Sequence, residues 1–102
     1  MSKSVRRFTV RPDEYILFRF IVEGPTTLHI SLIATAPVNL TLLDNDDRYD
    51  YEHGSGSTFS YTAAWGRRSS LETAVDVDEG TWYLAIEGST HKSTGRVEVY
   101  QE

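Results

Sequence analysis

The chain has 102 residues, no cysteine and a formal net charge of −5 at pH 7. A chain of this length is expected to form one domain, which we place over residues 1–102, with residues 1–4 flexible. The lack of cysteine excludes disulfides, thiolate zinc sites, iron–sulfur clusters and thiol nucleophiles. An acidic surface repels the phosphate backbone, so nucleic acid binding is also disfavoured.

The hydrophobic segments give no sign of export or membrane insertion. The basic N-terminus is not followed by an apolar segment of the signal-peptide type. The longest apolar segment, residues 15–22, contains Arg19 and is far too short to span a bilayer. The sequence therefore predicts a cytoplasmic protein without membrane contact.

Apolar residues recur with a period of two along most of the chain, which is typical of strands with one buried face. In chain order the pattern predicts strands at residues 5–10, 15–22, 27–33, 38–43, 58–62, 71–77, 81–87 and 95–100. The second is nearly all apolar, as expected of a central strand. No stretch has a convincing helical period. The sequence therefore predicts an all-β fold, an antiparallel β-sandwich of jelly-roll type with about eight strands.

The same alternation predicts which side chains form the core. The expected inward rows are Leu28, Ile30 and Leu32; Val38, Leu40 and Leu42; Trp82, Leu84 and Ile86; and Val97 with Val99.

Residues 44–57 are polar and are predicted to form a long loop. Its first part concentrates carboxylates, namely Asp44, Asp46, Asp47, Asp50 and Glu52. Calcium prefers such oxygen ligands. Counted from Asp44, however, the sixth and twelfth positions hold tyrosine and serine, where an EF-hand needs glycine and glutamate. Solvated, turn-forming carboxylates explain the run, so we predict no metal site and no cofactor, and keep calcium binding as an alternative.

Aromatic and basic residues accompany these carboxylates in two predicted loops. The first loop carries Tyr49, Tyr51 and His53, and a second loop at residues 63–70 carries Trp65, Arg67 and Arg68. Exposed aromatic side chains on loops stack on sugars or fill a pocket of a protein partner. They also fold back to cover the open end of a sandwich. The two loops are the predicted binding region, for a protein or, alternatively, for a carbohydrate.

No pattern in the sequence indicates catalysis. His29, His53 and His91 lack the spacing of paired metal ligands. The serine–glycine segment at residues 53–57 does not match the nucleophile motif Gly-x-Ser-x-Gly. We therefore predict a protein without enzymatic activity.

Arg19 interrupts an otherwise apolar strand. Alternation places it on one face with Tyr15, Leu17 and Ile21. A covered face would require a carboxylate partner for the arginine, since a buried unpaired charge is costly. An exposed face would leave an apolar patch of the kind that marks interfaces. We favour the second case and predict a contact with a partner or a second copy around Arg19.

The middle and end of the chain carry recognisable motifs. They are residues 38–44, then Tyr49, Tyr51 and Gly54, then residues 75–77, 80–88 and 95–99. This layout resembles the small jelly-roll family known as domain of unknown function 1883 and, more broadly, bacterial pre-peptidase C-terminal domains. The first resemblance implies a non-enzymatic bacterial module, sometimes joined to signalling domains. The second implies a secreted accessory or carbohydrate-binding domain. Neither brings catalytic residues with it.

Together these observations predict a non-catalytic interaction module that acts through protein contacts and self-association. The alternative is an accessory module that binds carbohydrate or calcium through residues 44–53.

Overall fold

The computed structural model describes residues 2–53 and 63–102. Its elements are β1 (Ser2–Val10), β2 (Tyr15–Val22), β3 (Thr26–Asp44), α1 (Asn45–His53), β4 (Ala63–Val77), β5 (Gly80–Gly88) and β6 (Ser93–Gln101). The all-β antiparallel class is confirmed. The described part of the chain contains six strands, fewer than predicted, and the predicted strand at residues 58–62 lies outside it.

β3 unites the two strands predicted at residues 27–33 and 38–43, and Pro37 lies within it. The strand bends instead of ending, because its pairing with β4 shifts register between Ile33 and Val38. Proline lacks the N–H that a ladder needs and is tolerated where such an irregularity interrupts the ladder. A second shift, between Val38 and Leu40, completes the bend.

β3 is also the centre of the sheet. Along one side it pairs with β4, and along the other it pairs first with β6 and then, beyond the bend, with β5. β1 adds to β6 and β2 adds to β5, all antiparallel. The strand order is therefore β1-β6-β3-β5-β2, with β4 attached to β3. The sheet has two halves, β1–β6 and β5–β2, which share the antiparallel β3–β4 pair.

The predicted inward rows are confirmed, since every residue named in them is buried. They form one hydrophobic cluster with Phe8 and Val10 of β1 and Val22 of β2. Both halves of the sheet thus contribute to a single core. One hydrogen-bonded sheet curls over this core, in place of the two separate sheets of the predicted sandwich.

β2 was predicted to be a central strand, and this is wrong. Among the described strands it pairs only with β5, so it forms an edge of the sheet. Its inward residues Ile16, Phe18 and Phe20 are half-buried, and none of the other described strands pairs along their outer side. The apolar run reflects a strand with hydrophobic residues on both faces and not a central position.

The prediction of a loop at residues 63–70 is also wrong, because these residues form the first part of β4. Trp65 pairs with Leu40 and Ala63 with Leu42 of β3. An irregularity at Gly66-Arg67 hides the alternation. Arg67 has a left-handed φ of 51°, and its N–H donates to Oδ1 of Asn39 at 2.8 Å.

Candidate functional site

The predicted acidic loop begins with a capped helix. Asp44 is the N-cap of α1, since its Oδ1 accepts a hydrogen bond from the N–H of Asp47 at 2.8 Å. Asp46 and Asp47 lie in the first turn, where the helix dipole favours negative charge. The prediction of a loop is therefore wrong for residues 45–53. Among the described residues, no three His, Asp or Glu side chains are grouped to hold a metal ion.

Removing the cap by Asp44→Ala is expected to lower the free energy of unfolding by about 1 kcal/mol and to speed hydrogen exchange at the amides of α1. Asp46→Ala is the matched control, because it removes the same charge from the first turn without removing the cap. Its effect is expected to be about 0.5 kcal/mol. Thermal unfolding and amide exchange measure both. Equal effects of the two variants would contradict the capping role of Asp44.

α1 lies on the outer face of β5. The guanidinium carbon of Arg48 is 5.1 Å from the ring centroid of Tyr83, which points away from the core. The Nη1 of Arg48 also donates to Oε2 of Glu52 at 2.9 Å, one helical turn away. This hydrogen bond holds the pKa of Arg48 above its ordinary value, so the guanidinium stays charged. The helix is thus fixed to the sheet through Tyr83.

Two small patches of sheet beneath this region are fully covered. Leu43 and Ala85 lie on the outer face of the β3–β5 pair, yet they are 0% and 1% exposed. α1 contacts both β3 and β5. The helix therefore packs on the same outer face of the sheet that carries these two buried residues.

The residues predicted to bind a partner lie on three elements, namely the end of β3, α1 and the first part of β4. Tyr49 on α1 is 57% exposed, and Tyr51 and His53 belong to the same helix. Trp65 is half-buried and packs against the hydrophobic core, so part of its ring is engaged within the domain. Arg67 and Arg68 are exposed on β4. Trp65 lies opposite the buried Leu40 of β3, so its side chain is on the inner face of the sheet. The local sequence around Trp65 does not indicate this pairing.

The face around Arg19 is exposed. Ile21 is 58% and Tyr15 is 45% exposed, and Leu17 is half-buried. We call this outward row of β2 (Tyr15, Leu17, Arg19 and Ile21) the β2 surface. Arg19 lies opposite Tyr83, the residue on which Arg48 of α1 is stacked. The β2 surface therefore lies directly beside the helix-covered part of the sheet.

The backbone of β2 offers hydrogen-bonding groups along the edge that faces away from β5. The side chain Nε2 of Gln101 donates to the carbonyl oxygen of Ile21 at 3.0 Å, which shows that this carbonyl points away from β5. In an antiparallel strand every second residue points its backbone groups to the same side. The backbone groups of Arg19, Leu17 and Tyr15 are thus directed to the same edge.

In the parts of the chain that the structure describes, no helix has the length and apolar character needed to cross a membrane.

Comparisons with known proteins give matches in structure. No protein-family model matches the sequence, and no curated protein matches it. The pre-peptidase C-terminal domain of a collagenase from Bacillus anthracis is similar with a TM-score of 0.67 and 14% identity, over 97% of this chain and 88% of that one. The Yersinia pseudotuberculosis-derived mitogen is similar with a TM-score of 0.66 and 15% identity, over 99% and 86%.

A third similar structure is the periplasmic inhibitor of g-type lysozyme from Aeromonas hydrophila. Its TM-score is 0.63 and its identity 7%, over 99% of this chain and 85% of that one. Identities this low show the fold alone. The expected likeness to pre-peptidase C-terminal domains is thereby supported as a likeness of fold. The likeness to the domain of unknown function 1883 is not supported by any family match. What the three neighbours share with this chain is therefore the all-β fold.

Proposed function

We propose that the chain is a non-catalytic β-domain that acts through protein contacts, and that the β2 surface joins two copies of it. The observation that carries the proposal is an edge strand with exposed apolar residues and backbone groups directed outward. Proteins normally protect such edges with lysine, proline, bulges or a covering segment. β2 contains neither lysine nor proline, and Arg19 is its only charged residue.

The residues of β2 are compatible with antiparallel pairing to a second β2. A two-fold axis at Phe18 would place Tyr15 opposite Ile21 and Leu17 opposite Arg19 of the second copy. A two-fold axis at Arg19 would place two guanidinium groups opposite each other, which is unfavourable. We therefore propose the register centred on Phe18. In this register the residues of the β2 surface would form the backbone hydrogen bonds between the two copies. The carbonyl oxygen of Ile21 would then accept from the second copy in place of the Gln101 side chain.

The inward row supports the same arrangement. Ile16, Phe18 and Phe20 pack against the core but are only half-buried in one copy. A paired strand would place Ile16 beside Phe20 of the second copy and Phe18 beside its own equivalent. Burial of apolar area on both faces of β2 would then stabilise the dimer at about 25 cal/mol per Å².

Sedimentation velocity over a concentration series tests the proposal. The unaltered chain is expected to shift from monomer to dimer, and Ile21→Lys is expected to weaken the dimer by about tenfold or more, because each copy buries one lysine. Ile33→Lys is the matched control. Ile33 is 59% exposed against 58% for Ile21, but it lies on the other half of the sheet, so its substitution should leave the dimer intact.

Two results would overturn the proposal. One is a monomer at every concentration, and the other is equal weakening by the two lysine variants. One structural neighbour is named as an inhibitor of g-type lysozyme, which is a protein. This supports a function through protein contacts in general. A cytoplasmic location stays a prediction from the sequence, and that neighbour is periplasmic.

The alternative of a carbohydrate- or calcium-binding module has less support. Asp44 is engaged as a helix cap and Trp65 faces the core. A calcium-dependent rise in melting temperature would favour this alternative, because a ligand that binds only the folded state stabilises it.

A further inference from the structure

The outer face of the other half of the sheet contains a groove of about 560 Å³. It lies along β3 between the side chains of β6 and β4, away from the β2 surface. Two cross-strand rows line it, Tyr100–His29–Ala74 and Glu98–Ser31–Glu72. The groove thus has an aromatic end and an acidic middle.

At the aromatic end, the rings of His29 and Tyr100 are 5.6 Å apart with planes tilted by 53°. The Nε2 of His29 is 3.4 Å from Oε2 of Glu102. The two tilted rings form a corner at this end of the groove.

In the acidic middle, Glu72 and Glu98 stand on opposite sides of Ser31. The Nζ of Lys3 lies 3.4 Å from Oε1 of Glu98, and the Lys3 side chain is 56% exposed. In the described part of the chain no basic side chain pairs with Glu72. The groove therefore holds one ammonium group of the chain itself and has a second carboxylate available to a cation.

The groove continues along β3 beyond Ser31. An adjoining depression shares Ser31 and Glu72 and extends to Ile33 and Arg68. From His29 to Ile33 the strand advances four residues, or about 13 Å at about 3.3 Å per residue. This length fits an extended segment of about five residues, and the alternating side chains of such a segment would match the rows of the sheet.

We propose that this groove binds an extended peptide with an arginine or lysine side chain placed between Glu72 and Glu98. Charge complementarity identifies the occupant, since two carboxylates face the same space and a lysine of the chain already lies against one of them. Residues two positions away in the peptide would contact the corner of His29 and Tyr100 at one end and the exposed Ile33 at the other. This site is separate from the proposed dimer contact.

Fluorescence polarisation with the labelled pentapeptide Leu-Thr-Arg-Thr-Leu tests the proposal, with Leu-Thr-Gln-Thr-Leu as the uncharged counterpart. Glu72→Gln with Glu98→Gln is expected to weaken binding of the arginine peptide by about tenfold. The control combines Glu23→Gln with Glu79→Gln. It removes the same two charges from exposed positions outside the groove, so affinity should stay within about twofold.

A second pair of variants tests the role of Lys3. Lys3→Ala frees Glu98 and is expected to strengthen binding by about threefold, whereas Lys92→Ala, an exposed loop lysine, should have a smaller effect. Ile21→Lys should leave peptide binding unchanged, because it lies on the other half of the sheet. Circular dichroism and thermal unfolding verify that each variant is folded.

Three outcomes would overturn the proposal. They are absence of binding, equal affinity for the arginine and glutamine peptides, and equal losses in the two double variants. The last would indicate general attraction to an acidic protein and not a site between Glu72 and Glu98.

Discussion

Gly95→Ala is expected to lower the free energy of unfolding by about 3 kcal/mol or more, because the new methyl group has no room. A Cβ at this position would overlap the carbonyl oxygen of Ile33 and lie 2.8 Å from the Cα of Ala34. Both neighbours are backbone atoms of β3 and cannot rotate away. Relief would require β6 to move away from β3 just before the bend, where their pairing ends at Ala34 and Gly95.

Thermal unfolding measures the effect, and a loss of this size in a domain of about 100 residues lowers the melting temperature by about 15 °C. Gly24→Ala is the matched control. A Cβ at Gly24 would meet no atom within 4 Å, so its melting temperature should stay close to that of the unaltered chain. If both variants melted alike, the close approach of β6 to β3 would not limit the residue at position 95.

The core could be predicted from sequence because its signal is local. Leu28, Ile30 and Leu32 alternate with polar residues within one strand, and burial follows directly from a period of two. The position of β2 required more information. Its apolar residues indicate a strand, but which strands lie beside it depends on the order of the sheet. The local pattern predicted the bounds of this strand correctly, but it predicted a central position in the sheet, and β2 is an edge strand.

The helix was missed although the sequence contains its start signal. Asp44 followed by two more aspartates within three residues is typical of an N-cap and an acidic first turn. No apolar stripe follows, and without one a helical period cannot be recognised. The helix is held instead by a contact that forms only in the folded chain, the stacking of Arg48 on Tyr83, which lies 35 positions later in the sequence. The candidate groove could not be predicted for the same reason, because Glu72 and Glu98 become neighbours of Ser31 only through strand pairing.

The bend of β3 depends on a side chain that replaces lost ladder bonds. Ser93 is fully buried, and its Oγ donates to the carbonyl oxygen of Ala36 at 2.7 Å. The same Oγ accepts a hydrogen bond from the N–H of Ala36 at 3.1 Å. Next to it, the N–H of Thr94 donates to Oγ1 of Thr35 at 3.0 Å. The start of β6 thus satisfies the backbone of β3 where the register shift interrupts its regular pairing.

Ser93→Ala is therefore expected to lower the free energy of unfolding by about 2 kcal/mol, because it leaves both backbone groups of the partly buried Ala36 without this partner. The amide of Ala36 should also exchange its hydrogen faster, since its acceptor is the atom removed. Ser69→Ala, at an exposed serine of β4, is the control and should change stability by less than about 0.5 kcal/mol. Thermal unfolding and amide exchange report the two effects independently. Unchanged exchange at Ala36 would mean that β3 bends without help from Ser93, and the continuity of this strand through Pro37 would then have to come from its pairing with β4 alone.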